Sequence, residues 1–343
     1  MQLVPPSNSL IENSEEKDFY WGKVLAAWKL PRHINRFVGG NPVSLERRFY
    51  NRMVDEYLIS LKSDGVRYML LLTLGKDDHE PIALMIDRKL NMYEVQVWAN
   101  PKFFERTTLF DGELVCNREQ KQHQQDYLVF DVIMVEGRLC THKLYAERLQ
   151  ILHNTILCIS HAISDADLEA TVMEENKLIG RHNMYNLQIK PKRFVWKNQL
   201  DQLWADRTSY AYAQDGIIFS CNKAAIETGT QSSTIKWKPT HSVDLLVRDG
   251  AVFANSDRSD KLLLLEKVKQ YAVTNDATAD HEGCIVEFTL SLSETLLTCS
   301  ALRTRTDKTS PNSMTTVTNT VTNVEENITI EELLGLFCDK PAA

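Results

Sequence analysis

Apolar residues along this chain occur mostly in short continuous or alternating runs, a pattern that predicts β-strands. Two such runs, at 56–61 and 68–72, flank the polar segment Lys-Ser-Asp-Gly-Val-Arg and predict two strands joined by a tight turn that carries Lys62. The Gly-Gly-Asn-Pro sequence at 39–42 predicts another turn. Further apolar runs predict strands at 82–86, 92–97, 108–110, 127–132, 216–219, 234–237, 244–247, 284–290 and 296–303.

Helical spacing of apolar residues predicts fewer elements. It favours a helix over 146–160, a second over 196–204, and an amphipathic helix that begins near Asn312. Thr329, followed three residues later by Glu332, has the capping-box pattern and predicts the start of a final short helix.

The chain has 343 residues, more than one hydrophobic core usually serves, so two domains are expected. The predicted fold class is α+β, with a larger mixed α/β domain over 1–239 and a smaller β-barrel over 240–327. The short strands of the second region suit a barrel of the oligonucleotide-binding (OB) type. Residues 328–343 are expected to form a C-terminal helix that packs back on the first domain.

Composition, cysteine spacing and net charge exclude several classes of protein. Hydrophobic content of 43% and charged content of 25% are ordinary for a globular protein. Neither an 18-residue apolar run nor a basic and then apolar leader is present, so we expect no membrane insertion and no secretion. The seven cysteines are scattered and never spaced as Cys-x-x-Cys, which favours a reducing intracellular compartment. A net charge of −7 argues against an extended nucleic-acid interface.

Charged side chains cluster at the ends of the predicted strands. In chain order they are Lys62, Asp87 with Arg88, Asp111 with Glu113, Asp215, Lys236 with Lys238, and Arg303, Arg305, Asp307 and Lys308. A lysine amine can attack phosphorus once it is deprotonated. Lysines and arginines neutralise phosphate charge, and carboxylates recruit a hard divalent cation. These are the groups needed to bind a nucleoside triphosphate and break it.

The ordered clusters resemble the motifs of the covalent nucleotidyltransferases, a superfamily of RNA capping guanylyltransferases and ATP-dependent polynucleotide ligases. Lys-Trp-Lys-Pro at 236–239 and Arg-x-Arg-x-Asp-Lys-x-x-Pro-Asn at 303–312 favour the capping guanylyltransferases. Segments 40–46 and 323–330 further resemble the small capping enzymes of the chlorella virus type. The resemblance covers the chain from about residue 39.

The resemblance implies a nucleotidyltransferase domain, an OB-fold domain and a reaction in two steps. Lys62 would attack the α-phosphate of GTP, forming a covalent lysyl-N-GMP and releasing pyrophosphate. GMP would then pass to the 5′-diphosphate end of RNA and form the GpppN cap.

The resemblance also implies roles for individual residues. The implied catalytic residues are Lys62 as nucleophile, Lys236, Lys238, Arg305, Asp307 and Lys308, the last three on a mobile barrel. The implied GTP-binding residues are Ser63, Arg67, Arg88, Glu113, Phe130, Lys190 and Ile218. Among them Arg67 and Glu113 would hold the ribose, and Ser63 and Lys190 would read the guanine. Phe130 and Ile218 would sandwich that base, although core packing alone also explains both. Asp215, with Glu113, would bind Mg²⁺ or Mn²⁺.

Phosphatase, triphosphatase and methyltransferase motifs are missing from the sequence, so a separate RNA triphosphatase and cap methyltransferase are expected as partners. We expect a monomer in the cytoplasm or nucleus of an infected host cell, or packaged in a virion. Two alternatives stay open. The first is an ATP-dependent DNA or RNA ligase, which shares Lys-x-Asp-Gly, and the second is a catalytically silent RNA-binding capping subunit.

Overall fold

The computed structural model describes residues 3–5, 9–77, 79–97, 99–119, 125–160, 187–259, 261–306 and 308–338. The chain divides into two compact units. Unit 1 comprises Met1–Val43 and Asp55–Lys236, and unit 2 comprises Ser44–Val54 and Trp237–Ala343.

Unit 1 contains two sheets, whose strands are numbered in chain order. The first sheet has eight strands in the order β1 (Ser9–Leu10), β6 (Met92–Val95), β5 (Pro81–Ile86), β4 (Val66–Leu74), β7 (Thr108–Cys116), β8 (Gln125–Val135) and β10 (Gln188–Pro191), with β9 (Arg138–Leu139) paired to β8. The second sheet has five strands in the order β11 (Val195–Trp196), β3 (Tyr57–Ser63), β12 (Gln214–Cys221), β13 (Gly229–Trp237) and β2 (Gly40–Ser44).

The first sheet is apolar on both faces, which explains the continuous apolar run in β4. Tyr68, Leu70 and Leu72 enter one core, which also contains residues of helix α3 (Tyr145–Ser160). Met69 and Leu71 enter the other core, which helix α1 (Ser14–Ala27) covers. In the described part of unit 1 the α-helices are α1, α2 (Lys102–Glu105), α3 and α4 (Leu200–Ala205), with 3₁₀ turns at Lys197–Gln199 and Asp206–Ser209.

Unit 2 is built on one sheet of seven strands. Their order is β16 (Leu262–Leu264), β15 (Ala251–Asn255), β14 (Ser242–Arg248), β19 (Ile285–Leu292), β20 (Leu296–Thr304), β18 (Tyr271–Asn275) and β17 (Lys267–Val268). Its helices are α5 (Met314–Glu326) and α6 (Ile330–Phe337), with 3₁₀ turns at Arg47–Arg52 and Ala279–His281. Val317 and Val321 of α5 are buried in the core of this sheet.

The segment Ser44–Val54 joins unit 2 through contacts that the sequence did not predict. Arg47 forms an ion pair with Glu332 (2.8 Å), and the amide of Asn323 donates to the carbonyl of Leu45 (2.9 Å). The predicted N-cap at Thr329 is confirmed, because its side chain accepts a hydrogen bond from the backbone N–H of Glu332. The packing of the C-terminal helix on the first domain stays a prediction.

Most predicted elements are confirmed with longer bounds, including the helix over 146–160, but several local predictions were wrong. Lys62 lies inside β3 instead of on the turn, and Asp111 and Glu113 lie inside β7 instead of at a strand end. The predicted turn at 39–42 is mostly strand β2, since it pairs at the edge of the second sheet. The predicted helix over 196–204 is a strand end, a 3₁₀ turn and a short helix. In the described part of the chain, no helix is long and apolar enough to span a membrane.

Candidate active site

Unit 1 contains a cavity of about 530 Å³ with walls from both of its sheets. This volume lies in the usual range for small-molecule sites, about 300–1,000 Å³. Residues that the sequence predicted for the site line it: Lys62, Arg67, Arg88, Glu113, Phe130, Ile218 and Lys236. The fold therefore brings to one place side chains that lie far apart along the chain.

Lys62 lies one residue before the end of β3, and its ammonium forms an ion pair with Asp215 of β12 (Nζ–Oδ1 2.7 Å). The pairing of β12 with β3 is interrupted by a bulge between Gln214 and Ile217, where Asp215 lies. The side chain of Lys62 is 22% exposed and lines the cavity. The site thus has an accessible amine with a carboxylate beside it.

Ser63, Glu113 and Lys192 form a buried polar cluster next to Lys62. The hydroxyl of Ser63 donates to Oε2 of Glu113 (2.6 Å), and Nζ of Lys192 donates to the Ser63 hydroxyl (2.7 Å). Burial lowers the pKa of Lys192; the charge of Glu113 opposes this shift, and that of Lys62 adds to it. Lys192 lines the cavity, so its ammonium can donate to a ligand oxygen.

Arg67 is fixed at the cavity by contacts on several sides. Asp111 accepts from Nε (2.9 Å) and Nη2 (2.5 Å), and the carbonyl of Gly40 accepts from Nη1 (2.6 Å). Burial alone would lower the pKa of this guanidinium, but the charge and hydrogen bonds of Asp111 raise it. Desolvation and the charge of Arg67 lower the pKa of Arg88, yet a guanidinium stays charged at neutral pH. Two guanidiniums that stay positively charged therefore line the cavity, and Arg67 is held in place.

A β-bulge in β8 brings two consecutive residues to the cavity. The register of β8 with β7 shifts between the pairs Gly112–Val129 and Asp111–Asp131, which leaves Phe130 as an extra residue. Phe130 and Asp131 consequently both line the cavity. Arg148 of α3 holds Asp131 (Nε–Oδ1 2.8 Å, Nη2–Oδ2 3.1 Å), and burial raises the pKa of that carboxyl, an effect that Arg148 opposes. The sequence predicted neither Asp131 nor Arg148. For Arg148 the reason is that an arginine in a helix usually indicates a surface position.

Lys190, the predicted guanine reader, contacts a different partner. Its Nζ lies 2.8 Å from Oδ2 of Asp126, and the same oxygen accepts from Asn117 and Tyr212, each at 2.8 Å. Lys190 does not line the cavity, whereas Lys192 does. A role of Lys190 in guanine binding stays a prediction, and of these two lysines Lys192 is the one at the cavity.

The remaining predicted residues lie at or beyond the end of unit 1. Lys238 follows the last residue of β13 and belongs to unit 2. In unit 2, Arg305 forms an ion pair with Asp244 (Nη1–Oδ1 2.7 Å), and Nζ of Lys308 lies 3.4 Å from the other oxygen of that carboxylate. Asp307 lies outside the described residues. Asp244 thus gathers two of the predicted phosphate-binding cations.

A cavity with an accessible lysine amine, clustered cations and nearby carboxylates is suited to bond formation at the phosphorus of a nucleotide. These features are those of a nucleotidyltransferase. Comparison with known families is more specific. Residues 10–240 match the family model "mRNA capping enzyme, catalytic domain", and residues 216–334 match "mRNA capping enzyme, C-terminal domain". The chain belongs to the mRNA capping enzyme family, and the predicted two-domain fold class is confirmed.

Curated relatives agree with this assignment. The mRNA-capping enzyme subunit alpha of Schizosaccharomyces pombe is 25% identical, over 87% of this chain and 79% of that protein. The subunit of the same name from Yarrowia lipolytica is 23% identical, over 91% of this chain and 85% of that protein. The mRNA-capping enzyme of Caenorhabditis elegans is 25% identical over 85% of this chain, which spans 47% of the worm protein's length.

Proposed function

We propose that this protein is an mRNA guanylyltransferase, which transfers GMP from GTP to the 5′-diphosphate end of RNA. The observation that carries the proposal is the position of Lys62 in a cavity shared with Arg67, Glu113 and Lys236, in a chain of the capping enzyme family. A silent RNA-binding subunit would have no need to keep these charges clustered in a cavity, because gathering like charges costs free energy.

In the first proposed step, the amine of Lys62 attacks the α-phosphorus of GTP. A bond forms between Nζ and phosphorus, the bond from phosphorus to the β-phosphate oxygen breaks, and pyrophosphate leaves. Asp215, 2.7 Å from Nζ, is in position to take up the proton that the amine must lose. Lys236 is proposed to stabilise negative charge on the α-phosphate.

In the second proposed step, an oxygen of the terminal RNA phosphate attacks the phosphorus of lysyl-GMP. The phosphorus–nitrogen bond breaks, GpppN-capped RNA forms, and the lysine amine is regenerated. Lys238 is proposed to contact the α-phosphate together with Lys236, whereas Arg305, Asp307 and Lys308 are proposed to act in the first step only, on the β- and γ-phosphates of GTP. Pyrophosphate must leave before RNA binds, because both groups need the same side of the α-phosphorus.

The base and ribose positions follow from the cavity walls. We propose that guanine lies between Phe130 and Ile218, where Lys192 can donate to its O6, while Ser63, the other predicted guanine reader, donates its hydroxyl proton to Glu113 and accepts from Lys192. Both partners are buried and already hydrogen-bonded to each other, so their orientation is fixed before the base arrives. Arg67 and Glu113 are proposed to hold the ribose.

Mg²⁺ or Mn²⁺ is proposed as the cofactor. Within the described ranges, no group of three or more His, Cys, Asp or Glu side chains is placed to hold a metal ion. Asp215 would therefore share such an ion with phosphate oxygens and water, which is how Mg²⁺ is commonly bound. Glu113, the other predicted ligand, is engaged by Ser63 and Lys192. The ion would neutralise charge on the phosphates.

The wider setting is proposed from the sequence resemblance alone. It comprises a separate RNA triphosphatase and cap methyltransferase, a monomeric intracellular enzyme, and an origin in a virus with a capping enzyme of the chlorella virus type.

Labelling of the protein tests the proposed function. The protein is incubated with α-labelled GTP or ATP and Mg²⁺, separated under denaturing conditions, and then offered diphosphate-ended RNA. We expect label from GTP alone and its discharge onto the RNA. Lys62→Arg keeps a positive charge opposite Asp215 but should take no label, because a guanidinium is a poor nucleophile.

A matched control and two outcomes complete the test. Lys89→Ala removes an exposed lysine that does not line the cavity, and it should label like the wild type. Label from ATP instead of GTP would make the protein a ligase-type enzyme. No label from either nucleotide would contradict catalysis and favour the silent subunit.

A further inference from the structure

The segment Phe37–Gly40, which precedes and enters β2, forms one wall of the Arg67 environment. The ring centroid of Phe37 lies 5.2 Å from the guanidinium carbon of Arg67, within the range of a cation–π interaction. The carbonyl of Gly40 accepts a hydrogen bond from Nη1 of Arg67 (2.6 Å). Gly39, between them, is buried, and a Cβ at this position would clash with Nη2 of Arg67. The packing therefore leaves no room for a side chain at residue 39.

Arg67 has a second aromatic neighbour, Phe130, whose ring centroid lies 5.4 Å from the guanidinium carbon. Together with the two hydrogen bonds from Asp111, these contacts leave the guanidinium little freedom to rotate. Phe130 lines the cavity, so a shift of Arg67 would also disturb this wall.

The remainder of the N-terminal region anchors Phe37. The indole of Trp21, in α1, donates to the carbonyl of Ile34 (2.6 Å), and Phe37 packs against the core that α1 covers. The N-terminal residues thus form one continuous support from the back of the first sheet to Arg67.

We propose that Phe37 is a positioning residue for nucleotide binding, acting through Arg67. This inference rests on the proposed function, in which Arg67 holds the ribose of GTP. Phe37 fixes the plane of the guanidinium by its ring contact, while Asp111 fixes the guanidinium direction. Loss of the ring would let Arg67 tilt away from the ribose without removing its charge.

The test compares three variants in the enzyme–GMP reaction. Phe37→Leu keeps an apolar side chain but removes the ring, and should raise KM for GTP by about 5- to 10-fold with kcat little changed, because Arg67 contacts substrate and not the reacting atoms. Phe37→Tyr keeps the ring and should restore a wild-type KM. Phe19→Leu is the matched control, since Phe19 packs against the same core and its ring contacts Lys23 and Tyr20 instead of Arg67.

A second readout separates positioning from general loss of stability. If Arg67 contacts the ribose, Phe37→Leu should lessen the preference for GTP over 2′-deoxy-GTP, whereas Phe19→Leu should leave it unchanged. Any one of three results would overturn the proposal. They are a KM for GTP of Phe37→Leu within about 2-fold of wild type, a raised KM in Phe37→Tyr, and an equal rise in KM in Phe19→Leu. If the wild-type protein takes no label from GTP, the proposed function itself fails and this inference falls with it.

Discussion

Lys190 and Lys192 offer a matched pair of substitutions, because they lie two residues apart in different environments. Lys192→Met removes the ammonium that contacts Ser63 and Glu113 but keeps an apolar side chain of similar length. A hydrogen bond to a charged group is worth about 1.5–3 kcal/mol, so we expect kcat/KM for enzyme–GMP formation to fall about 10- to 150-fold. The free energy of unfolding should change little, because burial already disfavours the charge of Lys192.

Lys190→Met is expected to have the opposite effect. It removes the cation beside Asp126, whose carboxylate is buried and keeps its hydrogen bonds from Asn117 and Tyr212. Weakening the contacts of a buried acceptor costs about 1–3 kcal/mol. The Lys190 side chain is 40% exposed, so the loss of stability should lie at the lower end of that range. Activity with GTP should remain close to that of the wild type.

Two measurements on each variant distinguish a loss of activity from a loss of stability. Initial rates of labelling over a range of GTP concentrations give kcat/KM, and urea unfolding followed by tryptophan fluorescence gives stability. Fluorescence reports mainly on unit 1, because of the six tryptophans only Trp237 belongs to unit 2. The reasoning is refuted if Lys190→Met loses activity at unchanged stability, or if Lys192→Met keeps wild-type kcat/KM.

Two further predictions concern unit 2. Asp244→Ala removes the carboxylate that holds Arg305 and Lys308, so enzyme–GMP formation should slow by about tenfold, while GMP transfer from preformed covalent enzyme to RNA keeps its wild-type rate. Equal slowing of both steps would contradict this role. The hydrogen bonds from Arg47 hold the pKa of Glu332 below its usual 4.5, so this pair stabilises unit 2 above about pH 4.5 and the stabilisation is lost as pH falls through the lowered pKa. Glu332→Gln should therefore lose less Tm than wild type between about pH 5 and pH 3, and identical pH profiles would refute this.

Sequence patterns predicted the strands well, because the first sheet is buried on both faces and its strands are plainly apolar. The run at 68–72 is the clearest case, with alternate residues in two cores. The N-terminal helix α1 was missed, since its aromatic residues favour strands by intrinsic propensity. Tertiary contacts with the first sheet stabilise it as a helix, and no local pattern reports those contacts.

The candidate site was likewise predictable only in part. Lys62 was predictable because its motif is local, with Asp64 and Gly65 adjacent. Lys192 was not predictable. Side chains two apart along a strand lie on the same face, but β10 ends at Pro191, between Lys190 and Lys192. The alternation of the strand therefore does not extend to Lys192. Asp131 reaches the cavity through a bulge, and Phe37 reaches Arg67 through packing of the N-terminal region, neither of which has a sequence signature.

The charges around the cavity differ in how firmly they are held, and this difference suits the proposed chemistry. Arg67 and Arg148 each bind a carboxylate through two hydrogen bonds, an arrangement that fixes direction as well as distance. Lys62 is held through one oxygen of Asp215 on a flexible side chain and is partly exposed. A nucleotide can therefore bind a rigid frame of charges while the nucleophile remains free to turn from Asp215 toward phosphorus. An enzyme that must bond to its substrate and later release it needs the nucleophile, and not the binding frame, to be the mobile part.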